Sequence, residues 1–425
     1  MNTLSIRNIG PINSADIEIN KINIFIGPQS SGKSTIAKII SFCFWLEKSI
    51  VLNQGKEHID EKFLNKEFLQ YHGMTSYLSP DSSVEYHSEL IDFYFRDTKM
   101  FSIDVKNIEN GKNGKIAYIP SERNLLCIPN IPALDMSYNY IRSFIFDWLL
   151  VHSKYSKTSS FPILDLGVSY YFEENRGDII RLSNDKEISL SEASSGLQSL
   201  VPLLIYANYA AKWIYENESD VSFDKYESLQ KSFIKLLMAD EPSISADDEF
   251  ISSALKLESV RNSIKRIMSN RNVEEYDSFG GKIGDFLKRV TKPNYTKLII
   301  EEPELSIFPQ TQYELTKYIF SLINLDRGDA IILTTHSPYV MTSINNLIQA
   351  ASSIENGVDK NTVLSITGGV SVKFSDVNAW TINNGTITNI NDDEFEMISA
   401  EALDSVSDTI SNDFDKLLNY ATKQI

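Results

Sequence analysis

The sequence has 425 residues, enough for two or three domains or for one enlarged domain with an insertion. Its 42% hydrophobic and 23% charged residues exclude disorder by composition, and a formal charge of −17 argues against non-specific coating of nucleic acid or anionic membrane, though not against a local basic groove. Two cysteines, Cys43 and Cys127, exclude a disulfide framework and a four-cysteine zinc site, and the five histidines show no metal-ligand spacing.

The opening residues carry no basic segment followed by an apolar run, so no signal peptide is expected. The longest apolar stretch, Tyr140 to Val151, contains Arg142 and Asp147 and is too short to span a bilayer. The expectation is a soluble, cytoplasmic protein of a reducing compartment without a membrane partner.

Three short strands are predicted over residues 3–26. Leu4, Ile6 and Ile9 lead to a break at Gly10-Pro11; Ala15, Ile17 and Ile19 alternate; Ile22 to Ile26 is nearly all apolar, as in a strand buried on both faces. A glycine-containing loop follows, then a helix through Ile36, Ile39, Ile40, Phe44 and Leu46. Phe93, Phe95 and Met100 to Val105 suggest strands, residues 109–114 a turn, and Ala117 to Ile119 a short strand ending at Pro120. An amphipathic helix is predicted over 134–154, strand alternation over 166–190 and a helix from Ser194 or Ser195. Residues 218–292 read as an inserted, polar helical subdomain. Leu298 to Ile300 and Ala330 to Leu333 are buried strands with a helix, Tyr313 to Leu322, between them. A strand pair is predicted at Val372 to Phe374 and Trp380 to Ile387. Leu403, Val406, Ile410, Phe414 and Leu417 form a helical stripe in the tail, expected to pack while Asp404, Asp408, Asp413 and Asp415 face solvent.

Gly27-Pro28-Gln29-Ser30-Ser31-Gly32-Lys33-Ser34 fits the full phosphate-loop pattern, with an apolar strand before it and a helix after. Glycines there let successive N–H groups turn inward as an anion nest at the helix N-terminus. Lys33 supplies a charge for β- and γ-phosphates, and the Ser34 hydroxyl can ligate Mg²⁺. Leu298-Ile299-Ile300-Glu301-Glu302 is an apolar strand opening onto two carboxylates. The first would hold Mg²⁺ directly or through water, and the second would orient or deprotonate the attacking water. His336 ends a second buried strand, where it could contact a γ-phosphate. Ser194-Ser195-Gly196-Leu197-Gln198 opens a helix, as a second phosphate-binding end or as a plain serine cap.

In this order the four elements resemble the ABC-type ATPase heads of the SMC, Rad50 and OLD group, from residue 3 to about 345. Residues Gly27 to Thr35 are similar to the Walker A segment, Leu298 to Glu302 to Walker B, and Ser194 to Gln198 to the signature motif. Ser194 and Leu197 depart from that motif; Ser195, Gly196 and Gln198 keep it. Pro303 to Ser306 stands at the D-loop and His336 at the switch histidine. The resemblance implies an α/β fold: an ABC-ATPase-like P-loop NTPase head with a mixed sheet and an inserted helical subdomain. It divides the chain into head lobes at 1–217 and 293–425 around the insert. It further implies ATP and Mg²⁺ as cofactors, Glu302 and His336 as catalytic residues, Ser34 and Glu301 at the metal, and head-to-head self-association. The glutamine such heads carry between Walker A and the signature is missing; Glu122 and Arg123 are both candidates for its place.

Without sustained heptads or an acidic nuclease set after His336, the chain resembles the nuclease-free ATPase subunits of two-component anti-phage systems such as PARIS or Septu. A separate effector protein, such as a nuclease, then does the damage. Two alternatives stand beside this: a repair or recombination ATPase acting on DNA, and a scaffold that holds ATP without hydrolysing it. Lys256, Arg261, Lys265, Arg266 and Arg271 give the insert a basic stretch for DNA or an acidic protein, diluted by Glu258, Glu274 and Glu275.

Overall fold

The two strand patterns, alternating and wholly apolar, are combined in one sheet in a computed structural model that describes residues 2–97, 100–128, 136–217, 293–399 and 410–418. The first part of the chain gives β1 (Asn2–Ile9), β2 (Ile12–Ile19), β3 (Ile22–Ile26), helix α1 (Lys33–Asn53) and the single turn α2 (Glu61–Leu64). It continues through β4 (Leu78–His87), β5 (Ile91–Arg96), β6 (Met100–Val105), β7 (Gly114–Ile119) and α3 (Tyr140–Val151). A small separate sheet follows from β8 (Phe161–Pro162), β9 (Ser169–Glu173), β10 (Gly177–Arg181) and β11 (Glu187–Ser189). Then come α4 (Ser195–Asn208), β12 (Tyr295–Glu301), α5 (Pro309–Leu322), β13 (Ala330–Thr335), α6 (Pro338–Glu355), α7 (Lys360–Thr367), β14 (Val377–Asn383) and β15 (Thr386–Asn389).

The main sheet has eleven strands in the order β6-β5-β4-β1-β2-β15-β14-β3-β13-β12-β7. One half, β6 to β2, is antiparallel. The other, β14-β3-β13-β12-β7, is parallel. The hairpin β14–β15 joins them, β15 meeting β2 at the single pair Thr386–Ser14. This is a mixed α/β architecture built on one large mixed sheet.

Burial on both faces explains the apolar runs. Ile22, Ile24 and Ile26 of β3, Leu298 and Ile300 of β12, and Ile331 and Leu333 of β13 point into the core under α3, α4, α5 and α6. Their alternates Phe25, Ile299 and Ile332 point into a second core with α1 and the antiparallel strands. Amphipathic α1 and α4 are thus held from opposite sides of one sheet.

Several expectations need correction. The predicted helix over 134–154 covers only Tyr140–Val151 within the described residues. Val372 to Phe374 is not a strand: it leads into a single turn, Phe374–Asp376, and the hairpin partner of Val377–Asn383 is Thr386–Asn389. A Gly385 at φ +77° makes the tight turn between them. Residues 410–418 are helical, yet Ile410, Phe414, Leu417 and Leu418 are all exposed, so this part of the tail stripe is not packed. The insert at 218–292 with its basic residues, and Leu403 and Val406, lie outside the described residues.

Beneath α1 is a buried carboxylate away from the phosphate loop. Glu47 accepts a hydrogen bond from Tyr86 Oη at 2.9 Å, and Asn2 donates to that same Tyr86 oxygen at 3.2 Å. Burial pushes the Glu47 carboxyl above its ordinary range, against the stabilising pull of Ser88, Tyr86 and Lys297. A pKa raised by folding means the native state favours the neutral acid. This contribution is therefore fully present below the ordinary carboxylate range and is lost as pH rises through the raised value. Glu47→Gln keeps an acceptor for Tyr86 and removes the titration. Its melting temperature relative to wild type should rise between pH 4 and pH 8; an advantage that is flat or shrinks over that interval would contradict the assignment.

Candidate functional site

The parallel strands β3, β13, β12 and β7 end along one edge of the sheet. Register pairs Ile119 with Ile300, Glu301 with Thr334 and Thr335 with Ile26, so the loops after these strands are neighbours by construction. In open α/β sheets this carboxyl edge is where ligands bind.

The loop Gly27–Gly32 turns from β3 into α1. Its apex, Pro28, Gln29 and Ser30, is exposed, while Ser31, Gly32, Lys33 and Thr35 are buried and Ser34 half-buried. Gly32 caps the helix at φ +108° without a side-chain hydrogen bond, leaving the first N–H groups of α1 uncapped by side chains. At Gly27 a Cβ would come within 2.4 Å of the Ile382 carbonyl oxygen, so only glycine fits against β14. The ammonium of Lys33 folds back onto its own loop, donating to Gly27 O at 3.0 Å and Pro28 O at 2.9 Å. Burial lowers the Lys33 pKa, opposed by Glu302, Glu304 and Glu301, which places all three carboxylates within electrostatic reach of it. Ser31 Oγ is buried with no hydrogen-bond partner. An uncapped helix start, an orphaned hydroxyl and a lysine resting on carbonyls fit a phosphate chain.

The two adjacent carboxylates point apart. Glu301 is buried, accepting from Tyr118 Oη, from Ser121 N at 3.4 Å and from Ser121 Oγ at 3.3 Å. Burial raises its pKa, and the Tyr118 hydrogen bond pulls the other way. Glu302 follows at φ +43°, a left-handed kink that ends the strand. Its amide donates to Thr334 O at 2.9 Å, and its carboxylate lies 3.4 Å from His336 Nε2. Both side chains of that pair are partly open to solvent. Hard oxygen donors for a divalent cation are available in the Ser34 hydroxyl and, directly or through water, in Glu301. Among the described residues no group of three or more His, Cys, Asp or Glu side chains is placed to hold a metal alone, so such a cation would lean on the phosphates as well.

At the helix start Ser194–Gln198, which the sequence left open as a second phosphate end or a serine cap, two side chains are spent within the turn. Ser194 Oγ accepts from Leu197 N, and the Gln198 amide donates to Ser191 O at 2.9 Å and Ala193 O at 3.1 Å, so both side chains cap their own turn. Ser195 remains exposed and Gly196 half-buried. No hydrogen bond among the described residues joins this turn to Gly27–Thr35. The chain thus brings together Lys33, Glu301, Glu302 and His336 and leaves Ser195, Gly196 and Gln198 outside that group. Gly196 instead lies against the Ser306 turn: a Cβ there would sit 2.9 Å from Ser306 O.

Sequence reasoning left Glu122 and Arg123 open, and the structure separates them. Glu122 accepts from Tyr140 Oη at 3.1 Å and from Ser121 Oγ at 3.1 Å, beside Glu301. Arg123 is fully buried, and every hydrogen bond of its guanidinium goes to a backbone carbonyl. It donates to Ser199 O at 3.0 Å, Pro120 O at 3.1 Å, Glu301 O at 2.8 Å, Glu302 O at 2.7 Å and Pro303 O at 3.5 Å. Burial pulls its pKa down to about 10, against the attraction of Glu304, Glu302, Glu301 and Glu122. Sequence reasoning also missed Tyr118, Ser121 and Glu304 as site residues. The only local signal was the phrase Tyr118 to Arg123, a strand end too polar for the core it enters.

A family model described as an AAA ATPase domain matches residues 285–341, the stretch that carries Glu301, Glu302 and His336. The SMC head domain from Thermotoga maritima is similar at 12% identity and TM-score 0.35, over 91% of this chain and 97% of that one. An SMC head bound to the C-terminal winged-helix domain of ScpA is similar at 8% identity and TM-score 0.38, over 91% and 96%. The recombination mediator RecF is similar at 12% identity and TM-score 0.27, over 91% and 97%. No curated protein matches the chain in sequence. The strand–loop–helix at Gly27–Lys33 on a mixed α/β sheet has the form of a P-loop nucleotide-binding fold, and the ATPase-domain model matches only part of the second half. Among the described residues no helix is long and apolar enough to cross a membrane.

Arg123→Met should remove the charged donor that the carbonyls of Ser199, Pro120, Glu301 and Glu302 share. At 1.5–3 kcal/mol for each hydrogen bond to a charged group, a loss of about 3 kcal/mol or more is expected. Urea unfolding measures it. A loss under about 1 kcal/mol would mean that water replaces the guanidinium at no cost.

Proposed function

We propose that the chain binds ATP with Mg²⁺ and hydrolyses it, and that two copies complete each other's sites. The observation that carries this is the meeting of Lys33, Glu301, Glu302 and His336 at neighbouring strand ends beside an open helix N-terminus. Gly27, Pro28, Gln29, Ser30, Ser31, Gly32, Lys33, Ser34 and Thr35 wrap the phosphates, with Lys33 exchanging its loop carbonyls for β- and γ-oxygens. Ser34 and Glu301 hold Mg²⁺, and Tyr118 and Ser121 fix the Glu301 carboxylate for that task. Bound Mg²⁺ supplies neutralisation of charge on the phosphate oxygens. Glu302 accepts the proton of the attacking water, and His336 contacts the γ-phosphate.

Ser195, Gly196 and Gln198 act on the ATP of a second copy, since among the described residues no hydrogen bond ties them to the loop of their own chain and Ser195 is exposed. The ATP-bound dimer, formed by head lobes 1–217 and 293–425 around the insert, serves as a sensor or scaffold in the cytoplasm. It controls a separate effector protein in bacterial anti-phage defence. Support for this last step is the resemblance of the ordered motifs to the nuclease-free OLD-like ATPases.

Two measurements test the site. Glu302→Gln should bind a labelled ATP analogue as wild type does, release phosphate at least about 100-fold more slowly, and accumulate as an ATP-bound dimer on gel filtration. Normal turnover in Glu302→Gln combined with arrest in Glu301→Gln would reverse the two roles. Sharing between copies is tested by mixing. A Gly196→Asp homodimer and a Lys33→Ala homodimer should each be inactive, but their heterodimer has one site with both defects and one with neither. Phosphate release should return as one variant is titrated into the other, with subunit exchange followed by a tag pull-down. A flat titration despite exchange would leave Ser194–Gln198 as a helix cap.

A further inference from the structure

Between the Ser306 turn and His336 lies a side chain that the proposed chemistry does not use. Gln312, in the first turn of α5, is buried to 8% exposure and satisfied at both ends of its amide. Its Nε2 donates to Ile307 O at 3.0 Å, and its Oε1 accepts from Ser337 Oγ at 2.5 Å. The direction of the amide is settled by its neighbours. Ile307 O can only accept, and Ser337 Oγ already accepts from Tyr339 N at 3.1 Å, so the hydroxyl must give its proton to Gln312. A second bond runs in parallel: Glu304 Oε1 accepts from His336 N at 2.6 Å. The turn from Glu304 to Phe308, which Gly196 touches through Ser306, is thereby fastened at two points to the strand end that carries His336 and Ser337.

We infer that Gln312 is a positioning residue for His336, locking the turn that lies against Gly196 to the end of β13. The inference deepens the hydrolysis proposed above and rests on it for its kinetic readout. Methionine at position 312 nearly preserves the volume and makes neither hydrogen bond. Ser337→Ala removes the same bond from the other side, so the two changes should not add.

The experiment compares wild type, Gln312→Met, Ser337→Ala and the double variant. Each single variant should bind a labelled ATP analogue within about 2-fold of wild type, while kcat falls on the order of 10-fold or more, the scale of a small misplacement of a reacting group. The double variant should be no slower than the slower single one. In nucleotide-free protein the His336 imidazole NMR resonance, assigned with His336→Gln, should be displaced in both single variants. An unmoved His336 resonance in both, or kcat losses that multiply in the double variant, overturns the inference. If Gln312→Met does not fold, Ser337→Ala carries the resonance test. If wild type releases no phosphate at all, it is the hydrolysis reading that falls; the resonance then decides whether Gln312 positions His336.

Discussion

The site depends on a buried positive charge that forms no ion pair among the described residues. The Arg123 guanidinium sits among carbonyl oxygens from three segments: the end of β7, the end of β12 and the first turn of α4. Two of those carbonyls also accept from the backbone, Ser199 O within α4 and Glu302 O from Leu305 N at 3.1 Å, so the guanidinium adds a second, charged donor there. The guanidinium ties α4 to the ends of β7 and β12 through donors held in one rigid plane. A lysine would offer a point charge with tetrahedral donors and could not reach all of them. The surrounding glutamates supply the long-range attraction that keeps the ion charged without spending their own oxygens on it. Those oxygens therefore stay available at the phosphate loop.

Charge balance at the strand ends follows from the same arrangement. Three carboxylates, Glu301, Glu302 and Glu304, surround one lysine, and each is held by a different device. Glu301 is buried against Tyr118 and Ser121, Glu302 is turned outward by a left-handed residue, and Glu304 spends one oxygen on His336 N. The remaining Glu304 oxygen is buried without a partner. Such a site is under-supplied with positive charge, which suits it to a ligand that arrives with cations of its own.

What could be read in advance was what is local. The phosphate loop, the two apolar strands that end in Glu301 and His336, and the cap at Ser194 are each contained in a few consecutive residues. Their types determine the backbone course regardless of what packs on them. The strand Leu78–His87 was missed because Ser79 to Ser83 interrupts its apolar alternation, leaving only Val84 and Tyr86 as apolar residues fully buried in it. The helix start was placed at 134 instead of 140 because apolar spacing says nothing about where a cap, here Asn139, takes over. Arg123 and Gln312 were invisible for a different reason. Their partners lie on other elements, and a polar residue that serves distant carbonyls looks like any solvated one in the sequence.

The place of the hairpin β14–β15 has a consequence for synthesis. Strand β3, which launches the phosphate loop, is made within the first thirty residues but is flanked by β13 on one side and β14 on the other. The wall that closes on Gly27 is the carbonyl of Ile382, near the far end of the described chain. A nascent chain leaving the ribosome therefore carries its phosphate loop long before the strand that closes on it. Pairings this distant in sequence form slowly because the intervening loop must close first. Until then the wall against Gly27 is missing, and closure of the loop reports that translation has passed the hairpin.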